Sequence, residues 1–122
     1  MNVREIKFRA FGNTNFSSEK MYSWEELLQK EYLLLNLIVE CSEPHNAWKL
    51  MQFTGLHDKN GREIYEGDVI DNGRHRWRIL WLDASFWART IESDRGGIAV
   101  YLIAEESEVI GNVHENPELV QP

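Results

Sequence analysis

A chain of 122 residues and 14.4 kDa has room for one domain or two tightly joined lobes, and it can bury roughly two thirds of the surface its unfolded form exposes. Its net charge of −7 is uneven, with 7 basic against 13 acidic residues over 56–122 and 6 against 7 over 1–55; this argues against non-specific binding of nucleic acid, which needs cations to neutralise phosphates. Cys41 alone excludes an internal disulfide and a Cys-rich zinc site, and no apolar run approaches the roughly 20 residues of a spanning helix.

The N-terminus offers Arg4, Glu5, Lys7 and Arg9 where a secretory signal would be apolar, so a soluble cytoplasmic protein is expected. Residues 3–11 read as a strand with Ile6, Phe8 and Ala10 on one face and Lys7 and Arg9 on the other, followed by a turn over residues 12–15. Lys20, Met21 and Tyr22 form a short return strand. Ser23 and Glu26 then have capping-box spacing and start a short helix carrying Leu27, Leu28 and Tyr32. Residues 33–39 are apolar except for Asn36, and periodicity leaves open whether they extend the helix or form a buried strand. A turn over residues 42–46 leads to a strand over residues 47–53.

The C-terminal half has the pattern of a meander. Asp58, Asn60 and Gly61 suit a tight turn; beyond it Ile64, Glu66, Asp68 and Ile70 alternate with Glu63, Tyr65, Gly67 and Val69. Asn72-Gly73 predicts a two-residue hairpin turn into a strand over residues 74–82, with His75, Trp77, Ile79 and Trp81 on one face and Arg74, Arg76 and Arg78 on the other. Strands over residues 86–92 and 98–104 flank a turn at 93–97, and a strand over 109–113 closes the set. Asn116, Pro117 and Leu119 predict a short terminal turn or helix packed by Leu119. The fold class expected is mainly β with minor α (α+β): an N-terminal α+β portion over 1–55, then a small barrel over 56–122 whose closure protects strand edges.

Residues 51–70 closely resemble the signature of the YopX family of bacteriophage and prophage proteins. The opening Arg4-Glu-Ile-Lys-Phe-Arg-Ala-Phe11 resembles that family's first strand, and Glu108-Val-Ile-Gly-Asn-Val-His-Glu-Asn-Pro-Glu-Leu119 its closing strand and tail. The resemblance implies a phage- or prophage-encoded accessory protein in the bacterial host's cytoplasm, with a β-rich fold ending in an SH3-like β-barrel. It brings no catalytic, cofactor or metal residues to carry over.

The constellation with recognition chemistry is the Arg74, Arg76 and Arg78 stripe. Guanidinium groups at strand period 2 sit about 7 Å apart, near the phosphate spacing along a nucleic-acid strand, and each donates bidentate hydrogen bonds. Phe86 and Trp87, one strand away, offer an aromatic face for a base. The bland alternative is a solvated face whose arginines pair with Asp71, Asp83, Glu92 or the acidic tail. Cys41 and His45 have ligand spacing only if Pro44 is ignored, so His45, His57, His75 and His114 read as ordinary histidines. Glu66 and Asp68 could serve as paired carboxylates of a small hydrolase, but a barrel-mouth turn around Gly67 accounts for them more simply.

The leading expectation is therefore a non-enzymatic module that binds a host or phage protein through barrel loops, a strand edge or its acidic surface. Nucleic-acid binding by the arginine face is the alternative, and an unclosed edge would allow copies to associate.

Overall fold

The computed structural model describes residues 5–12, 19–30 and 48–121. The turn expected at 13–15, Tyr32, the 33–39 run, the 42–46 turn, and Cys41 with His45 lie outside the described residues. The architecture is mainly β, with nine short strands in two antiparallel sheets among the described residues and one six-residue α-helix. One sheet runs β2 (Lys20–Tyr22), β1 (Phe8–Gly12), β3 (Lys49–His57), β4 (Glu63–Tyr65); the other, β8 (Ile98–Ala99), β7 (Ser85–Thr90), β6 (Arg76–Leu82), β5 (Asp68–Asp71), β9 (Glu108–Asn112), is a curled half-barrel. Two compact units divide the chain, one over residues 5–52 and one over residues 53–122, with the boundary inside strand β3 (Lys49–His57).

In the first unit, β1 (Phe8–Gly12) pairs with β2 (Lys20–Tyr22) and with the first half of β3. The strand begins later than expected. Ile6 is 62% exposed while Lys7 is buried, because the ammonium of Lys7 meets Glu5 at 3.2 Å and its aliphatic stem can turn inward. Gly12 is the last residue of the strand, and a Cβ there would lie 2.6 Å from the indole of Trp48. Helix α1 (Trp24–Gln29) starts at the expected box: Glu26 N–H donates to Ser23 Oγ at 3.2 Å, and Ser23 N–H donates to Glu26 Oε1. Lys20 Nζ donates to Glu26 Oε2 at 2.9 Å and, with the Ser23 N–H, lowers the Glu26 pKa. Leu27 is buried with Ala10, Tyr22 and Trp48, whereas Leu28 is exposed.

In the second unit, the latter half of β3 pairs with β4 (Glu63–Tyr65) through a register shift. The alternating run 63–70 is not one strand. Gly67, at φ +88°, turns the chain between β4 and β5 (Asp68–Asp71), where the buried Asp68 carboxylate accepts the Tyr65 N–H at 2.8 Å. Asp68 thus caps the turn that Glu66 and Gly67 make. β6 (Arg76–Leu82) and β7 (Ser85–Thr90) form a hairpin beside β5, and β9 (Glu108–Asn112) pairs with β5 through a bulge between Val69 and Ile70. Such a bulge bends a strand and strengthens its twist.

The strand expected over residues 98–104 stops after β8 (Ile98–Ala99). Two 3₁₀ turns follow, Val100–Leu102 and Ala104–Glu106, burying Val100, Ile103 and Ala104 and exposing Tyr101 and Leu102. Spacings of three and four side chains are helical, so this apolar run fills the core without extending a strand. Ile64, Ile70, Ile79, Ala88 and Val109 complete that core, with Trp77 and Phe86 at its margin. Pro117–Val120 forms the expected terminal turn, whose Leu119 lies against Gly111. Among the described residues no helix is long and apolar enough to cross a membrane.

Candidate functional site

The register of β6 determines which side chains share its outer face. Ile79 is fully buried and Trp77 packs on the core, so Arg76, Arg78 and Leu80 point the other way. Arg74 lies outside the strand, in the loop before it. Asp71 pairs with Arg76 and Asn72 N–H donates to His75 O at 3.3 Å, so four residues separate the strands and the turn is not centred on Asn72-Gly73. Side-chain acceptors explain this: Asp71 Oδ1 takes the Gly73 N–H at 2.7 Å, and Asn72 Oδ1 takes those of Arg74 and His75 at 3.1 and 2.9 Å. Arg74 and Arg76 together line a cleft of about 440 Å³ with Asp71, Glu92 and Leu119.

The β6–β7 pairing supplies a third strand arginine that period-2 reading of one strand misses. Arg78 lies directly opposite Arg89, and Leu80 opposite Trp87, so Arg76, Arg78, Arg89 and Trp87 share one face. Phe86 lies on the opposite face, edge-on to Trp81 at 4.6 Å. Arg89 donates from Nε to Gly96 O at 3.0 Å and from Nη1 to Asp94 O at 3.2 Å, holding the loop after β7 and fixing its guanidinium with donors left over. The Arg78 Nε is buried with no hydrogen-bond acceptor. Among the described residues, neither Arg76 nor Arg78 makes an ion pair, although Asp71 is opposite Arg76 in register.

At the end of the hairpin, Leu82 pairs with Ser85, leaving Asp83 and Ala84 as a two-residue turn with φ of 51° and 61°. Trp87 Nε1 donates to Leu82 O at 3.2 Å, which fixes the indole. Leu82, Asp83, Trp87, Arg89, Gly96 and Gly97 line an open slot of about 250 Å³.

A second carboxylate, Asp58, escaped the sequence reading as anything more than a turn residue. Its Oδ1 accepts the N–H groups of Asn60 and Arg62, and its Oδ2 that of Val109, each at 2.9 Å. Burial pushes its pKa up, but the backbone donors of Val109, Arg62 and Asn60, with the Arg62 charge, outweigh burial and leave it below the usual Asp value. Asp58 is therefore an ionised clamp between the β3–β4 turn and β9. His57 stacks edge-on with Phe53 and His75 with Trp77; among the described residues no three His, Cys, Asp or Glu side chains converge.

The model of the family described as YopX protein matches residues 3–121, nearly the whole chain. The chain belongs to the YopX family. The crystal structure of protein EF1440 from Enterococcus faecalis is similar, with a TM-score of 0.53 at 22% identity, covering 98% of this chain and 100% of that one. At that identity the likeness concerns the fold. No curated protein matches.

Proposed function

We propose that this YopX-family chain is a non-enzymatic binding module of a phage or prophage, built on a minimal SH3-like barrel, and that the outer face of β6 and β7 binds a single-stranded nucleic acid. The observation that carries this reading is the directly opposed Arg78 and Arg89, which have no carboxylate between them. Like charges in register destabilise a sheet, so an external anion is the partner that offsets them. Arg76, two residues along the strand, extends the cationic track, and Trp87 adds a stacking surface at its end. The −7 net charge limits the contact to this local face and disfavours indiscriminate binding.

Fluorescence anisotropy with labelled single-stranded DNA over a salt series tests the reading. Binding should weaken with salt, and Arg78→Thr should lower the slope of log K against log salt by about 0.7. Absence of salt-sensitive, Arg78-dependent binding overturns it; capture of poly-glutamate with equal affinity would make the occupant an acidic protein segment.

A second reading, capture of a basic host or phage protein, is favoured by a separate surface. Tyr101 and Leu102 are 69% and 59% exposed beside the exposed Glu105 and Glu106. Substituting both glutamates by Gln would abolish that capture and leave DNA binding intact.

A further inference from the structure

We infer that the slot at the end of the β6–β7 hairpin takes one unpaired nucleobase, stacked on Trp87, with the Asp83 carboxylate accepting a hydrogen bond from the base's exocyclic amino group. This rests on the reading of the arginine face as a strand-binding surface, and it adds base selection to it.

Three features of the slot point to a flat, amino-bearing ring. First, its volume of about 250 Å³ is bounded by Trp87 and Leu82 on the apolar side and by Gly96 and Gly97, which bring only backbone. The Trp87 Nε1–H is already occupied by Leu82 O, which leaves stacking as the contact this lining indole can offer a base. Second, Arg89 lines the slot while tethered to Gly96 O and Asp94 O. It has three donors beyond those two bonds, and it stands opposite Arg78, so the slot shares Arg89 with the cationic track that would hold the phosphates. Third, Asp83 is exposed, has no partner among the described residues, and lines the slot.

The turn that carries Asp83 also holds Ala84 in a costly conformation. A two-residue turn with both residues at positive φ ordinarily uses Asn-Gly, yet here it is Asp-Ala. Strain of this kind persists where the surroundings determine it, and it concentrates at binding sites.

The chemistry then selects among bases. An ionised carboxylate only accepts hydrogen bonds. Cytosine and adenine present an amino group, N4 or N6, whereas thymine presents the acceptor O4 at that position and would be repelled. Oligo-deoxycytidine and oligo-deoxyadenosine should therefore bind more tightly than oligo-thymidine, by roughly tenfold for one hydrogen bond to a charged group.

The test is anisotropy with these three labelled homopolymers against the full chain, three slot variants and Arg78→Thr. Asp83→Gly suits a positive φ and removes the carboxylate without straining the turn. It should erase the preference, with affinity for deoxycytidine falling by about tenfold to the level of thymidine. Asp83→Asn, which keeps the turn and gains a donor for thymine O4, should level the homopolymers. Trp87→Ala should weaken all three together, and a circular-dichroism melt equal to that of the parent keeps this from being a folding defect. If the parent binds all three homopolymers equally, or if Asp83→Gly leaves the preference unchanged while Arg78→Thr still weakens binding, the slot inference falls and the arginine-face reading stands. If no homopolymer binds in an Arg78-dependent way, both fall. If cytidine monophosphate binds as tightly as the oligomer, the slot takes a free nucleotide and the inference of a strand-borne base is overturned.

Discussion

Asp58 and Asp83 each open a tight turn between antiparallel strands of the same unit, yet their carboxylates have opposite fates. The first is buried and takes three backbone N–H donors, one of them fifty-one residues away at Val109. The second is exposed, has no partner among the described residues, and faces an open slot. Their surroundings differ in the same sense. Near Asp58, Lys59 N–H also donates to Ser107 O at 2.9 Å, so the turn is stitched to the segment before β9. Near Asp83, two non-glycine residues hold positive φ and two arginines face each other. Stability is concentrated at one turn, and locally unfavourable choices at the other. Natural sequences make such choices where a ligand or partner supplies the compensation.

The largest expected effect breaks the first turn. Asp58→Ala leaves the Val109 N–H buried without an acceptor and frees the 58–62 loop, costing about 3 kcal/mol in urea denaturation. A loss under about 1 kcal/mol would show that solvent replaces the carboxylate and that the clamp is not what joins the turn to β9. Acid provides an independent check. Because the folded-state pKa of Asp58 is lowered, its contribution is fully present above the unfolded value of about 3.9 and disappears as pH falls through the lower, folded value. Asp58→Asn should therefore be less stable than the parent at neutral pH and lose less on acidification. A constant difference between the two across that range would show that Asp58 titrates alike in both states.

These two turns also show what could be read in the chain and what could not. Asp58, Asn60 and Gly61 announce a turn by residue type, and Ser23 with Glu26 announces a helix start, since both signals are local. Arg76 and Arg78 share a face by strand period alone. Arg89 was not legible as their companion: its place opposite Arg78 depends on hairpin register, and register here is set by Asp83-Ala84, which lacks the Asn-Gly signature. Asn72-Gly73 has that signature, but side-chain acceptors on Asp71 and Asn72 shape the loop and leave Arg74 outside the strand. The apolar residues 98–104 mimic a strand by composition. Only the spacing of Val100, Ile103 and Ala104 betrays the 3₁₀ turns that put them in the core.

Relieving strain at the second turn should have a smaller effect of opposite sign. Ala84→Gly removes the penalty of a Cβ at φ 61° but loosens the unfolded chain, for a net gain of about 0.8 kcal/mol. Thermal denaturation would detect it. If the variant were instead less stable, the Ala84 methyl would be making a packing contribution larger than its backbone strain.

The smallest effect sharpens the comparison most, because it separates a structural arginine from a binding one. Arg78 faces Arg89 across β6 and β7, makes no ion pair among the described residues, and carries a buried Nε with no acceptor. Replacing it by Thr, which suits a strand, should stabilise the protein by about 0.4 kcal/mol at low ionic strength, because a like-charge contact is removed. Added salt screens exposed charges over a Debye length of about 8 Å at physiological strength, so the gain should shrink as salt rises. A stem that mattered for packing would give the reverse: a loss above about 1 kcal/mol that salt does not alter. Stabilisation together with weakened DNA binding would mean that Arg78 lowers the stability of the free protein and acts in the complex, the opposite of Asp58, whose removal should unfold the turn before any ligand is offered.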